Sequence, residues 1–245
     1  AEKIVPVLPE ENQQLEDRSL VYMTQLTKVP APVALRQTQR EITRMGHIAA
    51  DNLKRALDCF FNYSMSKAAS VRSHEESVNI LNHLIADAMV DLRSLDLSPE
   101  NMRRVSMMTI AVTDIERLSD HAENIVEYIE QMNAKKAEMS EAARKELLDM
   151  SQDALDAVYL ALDIFEKDDY SKLDQIEILE QHVDDHEKDL INNHIERIMN
   201  SMCNPLGGVI FSDLVTDLER CSDHAINLAY ALKERPSELD APKLV

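Results

Sequence analysis

The chain has 245 residues, of which 45 are acidic and 26 basic, with a formal net charge of −19. This charge argues against nucleic-acid binding, because the protein would repel the phosphate backbone. Three glycines, no tryptophan and many Leu, Ala, Met and Glu residues favour helix over sheet. No apolar run approaches the roughly 20 residues that cross a bilayer.

Prolines divide the chain into helical windows, since proline is excluded from helix interiors. Residues 1–32 contain four prolines and are predicted to be an N-terminal linker with a short helix near 10–18. Periodic apolar residues and cap signals such as Ser98-Pro99 then predict six helices. Their expected ranges are 33–65, 67–94, 99–134, 140–167, 171–201 and 205–234, followed by a tail over 236–245.

A duplicated motif organises these helices. Residues 113–125 (TDIERLSDHAENI) and 216–228 (TDLERCSDHAINL) are identical at nine of thirteen positions, 103 residues apart. The copies fall on the third and sixth helices. The sequence therefore predicts an all-α fold of two tandem pseudo-symmetric three-helix bundles, over 33–134 and 135–235.

Each copy carries two carboxylates at four-residue spacing, Glu116 with Asp120 and Glu219 with Asp223. This spacing places both members of a pair on one stripe of the helix. On a helical wheel the stripe lies roughly 170° from the apolar seam. The acids are therefore predicted to face outward or into a groove, and to repel one another slightly.

The preceding helix of each half supplies further polar groups. Glu180 and Asp184 repeat the four-residue spacing, and Glu75 with Asn79 occupies the equivalent region of the first half. Carboxylates gathered from two helices need a cation or must take up protons. Iron, manganese, zinc, calcium and magnesium all remain open. The alternative is a solvated face that pairs with the neighbouring Arg117 or Arg220.

The histidines give weaker signals. His121 and His224 repeat with the motif but are predicted to face away from the acids, as boundary residues of the core. His182 and His186 are predicted to be packed and hydrogen-bonded rather than metal ligands. No nucleophile with a general base is found, so the protein is predicted not to be an enzyme. Three cysteines without CxxC spacing favour reduced thiols in the cytosol.

The two motifs, IERLSDHAENI and LERCSDHAINL, resemble the signature of the PhoU family of bacterial phosphate-uptake regulators. The resemblance implies two three-helix bundles with metal clusters on their surfaces. The implied ligands are Glu116, Asp120 and Asn124 in the first half, and Glu219, Asp223 and Asn227 with Glu180 and Asp184 in the second. The match at Glu75 is looser, because Asn79 stands where an acid is expected. Ser119 and Ser222 replace the usual glycines of the motif.

The stretch VPAPVALRQTQREITRMGHIAADNL is similar to the start of the PhoU-like domain that follows the membrane helices of bacterial sodium/phosphate cotransporters. The chain begins with Ala1, as expected for a fragment of such a transporter. This resemblance implies a regulatory domain at the cytoplasmic face of the inner membrane. Its implied partner is the transport domain in cis, or a phosphate-signalling protein. Self-association is left open.

Two other classes compete with a metal-binding regulator. A metal-independent helical adaptor would use the same acidic faces to dock a basic partner protein. A ferritin-like di-metal oxidase would place Glu and Glu-x-x-His motifs inside a bundle. The acids of this chain lie outside the apolar seams and lack that spacing, which disfavours the oxidase.

Overall fold

The structure, a computed structural model, describes residues 17–23 and 25–233. Within these residues it contains six α-helices and no strand. The helices are α1 (Ala31–Phe61), α2 (Met65–Arg93), α3 (Pro99–Lys135), α4 (Glu141–Lys167), α5 (Leu173–Met199) and α6 (Pro205–Tyr230). The all-α prediction is confirmed. Most of the short helix expected near 10–18, and the tail over 236–245, lie outside the described residues.

Local capping explains where the helices begin. The side chain of Ser98 accepts a hydrogen bond from the backbone N–H of Asn101, and Pro99 follows it in the first turn of α3. Asn204 caps α6 in the same way, accepting from two backbone N–H groups before Pro205. These contacts satisfy donors that a helix start leaves unpaired. The starts at Ser98 and Asn204 agree with the sequence prediction.

The six helices form two similar halves. α1, α2 and α3 pack on one another, and α4, α5 and α6 repeat the arrangement. The core residues of α1 and α2 recur 105 positions later, so that Ile42 matches Leu147 and Ile85 matches Leu190, all of them buried. The halves meet where α3 packs on α6 and α1 packs on α4. Gly46 allows the second contact, because a Cβ there would lie 2.3 Å from Leu162 Cδ2.

Part of the segment expected to be a linker is packed onto the first half. Met23 and Leu26 are buried, and Leu26 opens a short 3₁₀ turn over Leu26–Lys28. Glu41 of α1, fully buried, accepts hydrogen bonds from the backbone N–H groups of Val21 (2.8 Å) and Tyr22 (2.5 Å). This carboxylate therefore holds the incoming chain against α1, a role that its sequence context does not reveal.

Candidate functional site

The acids of the first half come together between α2 and α3. Desolvation by burial raises the pKa of Glu75 on α2, and the nearby carboxylates of Glu123 and Asp120 on α3 raise it further. The pKa of Glu116 is raised in the same way, by burial and then by Asp120. We call this group of Glu75, Glu116, Asp120 and Glu123 the first acidic face.

The second half repeats the arrangement between α5 and α6. The pKa of Glu219 is raised by burial and then by Asp223, Glu187 and Asp184. The pKa of Glu180 is raised by burial and then by Asp184 and Asp223. The group of Glu180, Asp184, Glu187, Glu219 and Asp223 is the second acidic face. Carboxylates of neighbouring helices are thus close enough to disfavour one another's ionisation.

None of the predicted ligands lies in the core, as the helical wheel predicted. The half-buried ones are Glu75, Glu116, Asn124, Glu180, Asp184 and Glu219, and the exposed ones are Asp120, Asp223 and Asn227. No salt bridge within the described residues joins Arg117 or Arg220 to these acids. The charge of Arg117 nevertheless offsets part of the rise in the pKa values of Glu116 and Asp120, and that of Arg220 part of the rise in the pKa of Glu219. These arginines thus act on the faces through their charge without direct pairing, and on the first face Nε of Arg72 lies 3.9 Å from Oε1 of Glu123.

The donor set suits a hard divalent cation, which prefers carboxylate and amide oxygens. Among the described residues, however, no three metal-ligating side chains converge on one point. Metal binding would therefore require the carboxylates to move together. In the first face Asn79 donates a hydrogen bond to Glu75, so that one carboxylate oxygen is already engaged.

The repeated histidines, predicted to be boundary residues of the core, lie at the contact between the two halves. His121 and His224 are buried where α3 packs on α6. Nδ1 of His121 lies 3.0 Å from Oδ1 of Asp217, and Nδ1 of His224 lies 3.0 Å from Oδ1 of Asp114. Each histidine thus contacts an aspartate of the other half, and we call these two contacts the crossed pairs. Because His121 contacts a residue before His224, and His224 one before His121, α3 and α6 run antiparallel.

Sequence reasoning missed the aspartates of these crossed pairs. Asp114 and Asp217 are identical in the two motif copies, and each precedes its own histidine by seven residues, or about two helical turns. This spacing puts both on one stripe of each helix. Two copies of the stripe packed antiparallel produce crossed contacts, so the signal was present in the sequence.

The crossed pairs lie beneath a groove of about 690 Å³ that straddles the pseudo-two-fold axis. Its lining includes Arg117, Asp120, His121 and Asn124 and their equivalents Arg220, Asp223, His224 and Asn227. Since each histidine directly follows an acid of the motif, anchoring the histidine positions the preceding aspartate at the groove. The two acidic faces therefore share a border.

The two crossed pairs are not equivalent. Asp217 also accepts hydrogen bonds from the Tyr128 hydroxyl at 2.9 Å and from the Asn124 amide at 3.4 Å. The position equivalent to Tyr128 is Ala231, and Oδ2 of Asp114 is buried without a partner among the described residues. The Asn124 amide is thus partly committed to the interface between the halves.

A comparison with protein-family models finds the PhoU domain twice, over residues 42–129 and 147–232. These matches cover the two halves of the structure. The chain belongs to the PhoU domain family.

The PhoU fold recurs in crystal structures of low sequence identity. PhoU from Pseudomonas aeruginosa has a TM-score of 0.74 at 18% identity, with 90% of this chain and 96% of that chain covered. The phosphate transport system regulatory protein PhoU from Streptococcus pneumoniae gives 0.74 at 19% identity, with coverages of 83% and 95%. A PhoU-like protein from Shewanella oneidensis gives 0.58 at 12% identity, with coverages of 79% and 96%. The predicted tandem-bundle fold is confirmed. No curated protein sequence matches significantly.

The other residues singled out from the sequence are two histidines of α5 and the three cysteines. Nε2 of His186 lies 3.2 Å from Oδ2 of Asp153, in agreement with the predicted hydrogen-bonded role. His182 is exposed, so the prediction that it is packed was wrong. Cys59, Cys203 and Cys221 are free thiols, as expected from their spacing. In the part of the chain that the structure describes, no helix combines the length and apolarity needed to span a bilayer.

The asymmetry of the crossed pairs predicts unequal effects of two equivalent substitutions. His224→Leu leaves buried Asp114 without a hydrogen-bond donor, whereas His121→Leu leaves Asp217 bonded to Tyr128. We expect both to lower the free energy of unfolding, by about 1–3 kcal/mol, with the larger loss for His224→Leu. Urea denaturation measures this, and exposed His182→Leu serves as the control. Equal losses, or losses no larger than the control's, would contradict the assignment.

The raised pKa values predict that the ionised acids of the two acidic faces destabilise the folded protein at neutral pH. A carboxyl group whose pKa is higher in the folded state disfavours folding when ionised, and this cost disappears as the pH falls through the folded-state pKa. In chelator-treated protein, Glu116→Gln and Glu219→Gln should each stabilise the fold at pH 7 by about 0.2–0.5 kcal/mol.

The gain should shrink as the pH falls from 7 through the raised folded-state pKa values, because the wild-type carboxyl groups then become protonated. Thermal unfolding across this pH range provides the measurement, with the exposed Asp149→Asn as a control. A gain that is independent of pH, or a loss at pH 7, would show that these acids do not repel one another.

Proposed function

We propose that this PhoU domain is a non-catalytic regulatory module of phosphate transport that binds divalent metal ions on its two acidic faces. The observation that carries the proposal is the repeated gathering of carboxylates from adjacent helices, where burial and mutual repulsion raise the pKa values of Glu75, Glu116, Glu180 and Glu219. A bound cation removes this repulsion. The regulatory role is supported by family membership and by the structural relative named as a phosphate transport system regulatory protein.

The residues that would hold metal follow the two faces. On the first face they are Glu116, Asp120, Asn124 and Glu75, and on the second Glu219, Asp223, Asn227, Glu180 and Asp184. When bound, the metal supplies positive charge that offsets the carboxylates and links the helices of one half. Its identity stays open among iron, zinc, manganese, magnesium and calcium.

The second face should bind metal more tightly than the first. Asp184 on α5 corresponds to Asn79 on α2, which carries no charge and donates to Glu75. Asn124 of the first half is also partly engaged with Asp217, while no hydrogen bond to Asn227 is found among the described residues. The second face therefore offers more negative charge and more oxygens that are not engaged elsewhere.

For the cellular setting, we propose a domain at the cytoplasmic face of the inner membrane, fused to or acting on a sodium/phosphate cotransporter. The similarity of residues 29–53 to the start of such fused domains supports this setting. In a fusion, the packed segment around Tyr22 and Glu41 would connect the preceding chain firmly to the first half. Metal occupancy could then be communicated to the transport domain through α1.

A metal-independent adaptor is the second candidate. It is favoured by one observation, that no three ligating side chains converge in the described residues. In this reading the acids remain separated and contact lysine and arginine side chains of a partner protein. The two candidates differ in whether a metal ion alone binds.

Titration with manganese separates the candidates. We expect chelator-treated protein to bind Mn²⁺ in isothermal calorimetry. Glu219→Gln/Asp223→Asn should weaken the tighter site at least about tenfold, which corresponds to about 1.4 kcal/mol. The matched control is Asp185→Asn/Asp189→Asn, which removes two charges at the same spacing from exposed positions of α5. Absent binding, or equal losses in variant and control, would reject the metal site and leave the adaptor.

A further inference from the structure

A groove of about 630 Å³ runs between the C-terminal half of α5 and the first turns of α6. Its walls are formed mainly by Ile191, Ile195, Ile198 and Val209. Ile195, Ile198 and Val209 are 49%, 54% and 58% exposed, which is unusual for side chains of this size. Met199 and Met202 extend the apolar surface at the end of the bundle and are still more exposed. Contiguous apolar surface of this kind marks interaction sites.

Several positions of the groove differ from their equivalents in the first half. Positions of α2 correspond to α5 with an offset of 105, and those of α3 to α6 with an offset of 103, so that Ile198 corresponds to Arg93 and Ser212 to Thr109. Nη2 of Arg93 donates a 3.0 Å hydrogen bond to Oγ1 of Thr109 and bridges α2 and α3. Val209 likewise corresponds to polar Ser106. Where the first half has this polar bridge, the second half has apolar Ile198, whereas the position of Ile195 is apolar in both halves because it corresponds to Val90.

The apolar groove continues into the second acidic face. On α5, Glu187 lies four residues before Ile191, about 6 Å along the helix. On α6, Asp213 lines the groove itself and Glu219 lies further along. Glu187 and Glu219 are close enough to interact, as the raised pKa of Glu219 shows. One end of the combined surface is therefore apolar and the other is negatively charged.

We propose that this surface docks an amphipathic helix of a partner protein. The apolar face of that helix would lie on Ile195, Ile198 and Val209, and its lysine or arginine residues would face Glu187 and Asp213. Helix-in-groove recognition uses such a row of apolar anchors. Ile195 and Glu187 are eight residues apart on α5. The basic residues of the partner helix should therefore lie about 12 Å, or two turns, from its apolar anchor residues.

The negative charge beside the groove favours a basic partner helix over an anionic membrane or a second copy of the chain. An anionic membrane would be repelled by the acids that border the groove. A second copy of the chain, with its net charge of −19, would bring further carboxylates to the same place. Docking by this surface does not require bound metal, and it is tested in the presence of EDTA so that its outcome is independent of metal binding.

A labelled synthetic peptide provides the probe. We choose 18 residues with leucines at helical spacing on one face over the first two turns and lysines on that face over the next two. Fluorescence anisotropy should show binding to the full chain. Ile195→Ser/Ile198→Ser/Val209→Ser should weaken it at least tenfold. Because all three side chains are exposed, these substitutions should leave the fold intact, which circular dichroism checks.

The matched control variant is Met65→Ser/Val90→Ser/Ile110→Ser, which removes three similarly exposed apolar side chains from the first half. It should bind the peptide like the wild type, and a peptide with glutamates in place of lysines should not bind. Glu187→Gln/Asp213→Asn should weaken binding and reduce its salt dependence.

Equal loss in the groove and control variants, or no binding to the wild type, would overturn the proposal. So would two results that identify another occupant. One is a dimer in light scattering that dissociates when the groove is substituted, and the other is groove-dependent binding to vesicles of anionic phospholipid.

Discussion

The antiparallel packing of α3 on α6 joins the two halves of the protein and orients the acids of the repeated motif. It buries two reciprocal contacts, His121 with Asp217 and His224 with Asp114, each at 3.0 Å. Every histidine in these contacts directly follows a motif aspartate on the chain. Fixing the histidines between the halves therefore turns Asp120 and Asp223 toward one groove. The 13-residue motif serves two purposes at once, since one stripe joins the halves and the adjacent stripe presents carboxylates.

Outside the repeated motif, the two halves share their apolar core and differ at several polar positions. Ile42 and Leu147 fill equivalent places, whereas Tyr128 corresponds to Ala231 and Arg93 to Ile198. In the first half these polar side chains bond within the protein, to Asp217 and Thr109. The second half lacks both contacts, so that Oδ2 of Asp114 has no partner among the described residues and the groove between α5 and α6 has mainly apolar walls. This difference supports the proposal that a partner helix docks on the second half.

The helix starts and the position of the acids outside the core could be predicted from the sequence, but the contacts between the two halves could not. Prolines and caps such as Ser98 and Asn204 locate helix starts because they act locally. A helical wheel with one apolar seam correctly placed Glu116 and Glu219 outside the core. It made His121 a boundary residue of the core but did not identify its partner, because α3 packs a second stripe against α6 that a wheel with a single seam does not show. Glu41 was missed for a similar reason, since its partners are backbone groups of a distant segment.

The most direct test of this account is anomalous scattering from a crystal of the protein soaked in Mn²⁺. We expect one set of manganese peaks between α5 and α6, bordered by Glu219 and Asp223. A weaker set should lie between α2 and α3, bordered by Glu116 and Asp120. Manganese found only at other surfaces, with both acidic faces empty and their carboxylates still apart, would contradict it.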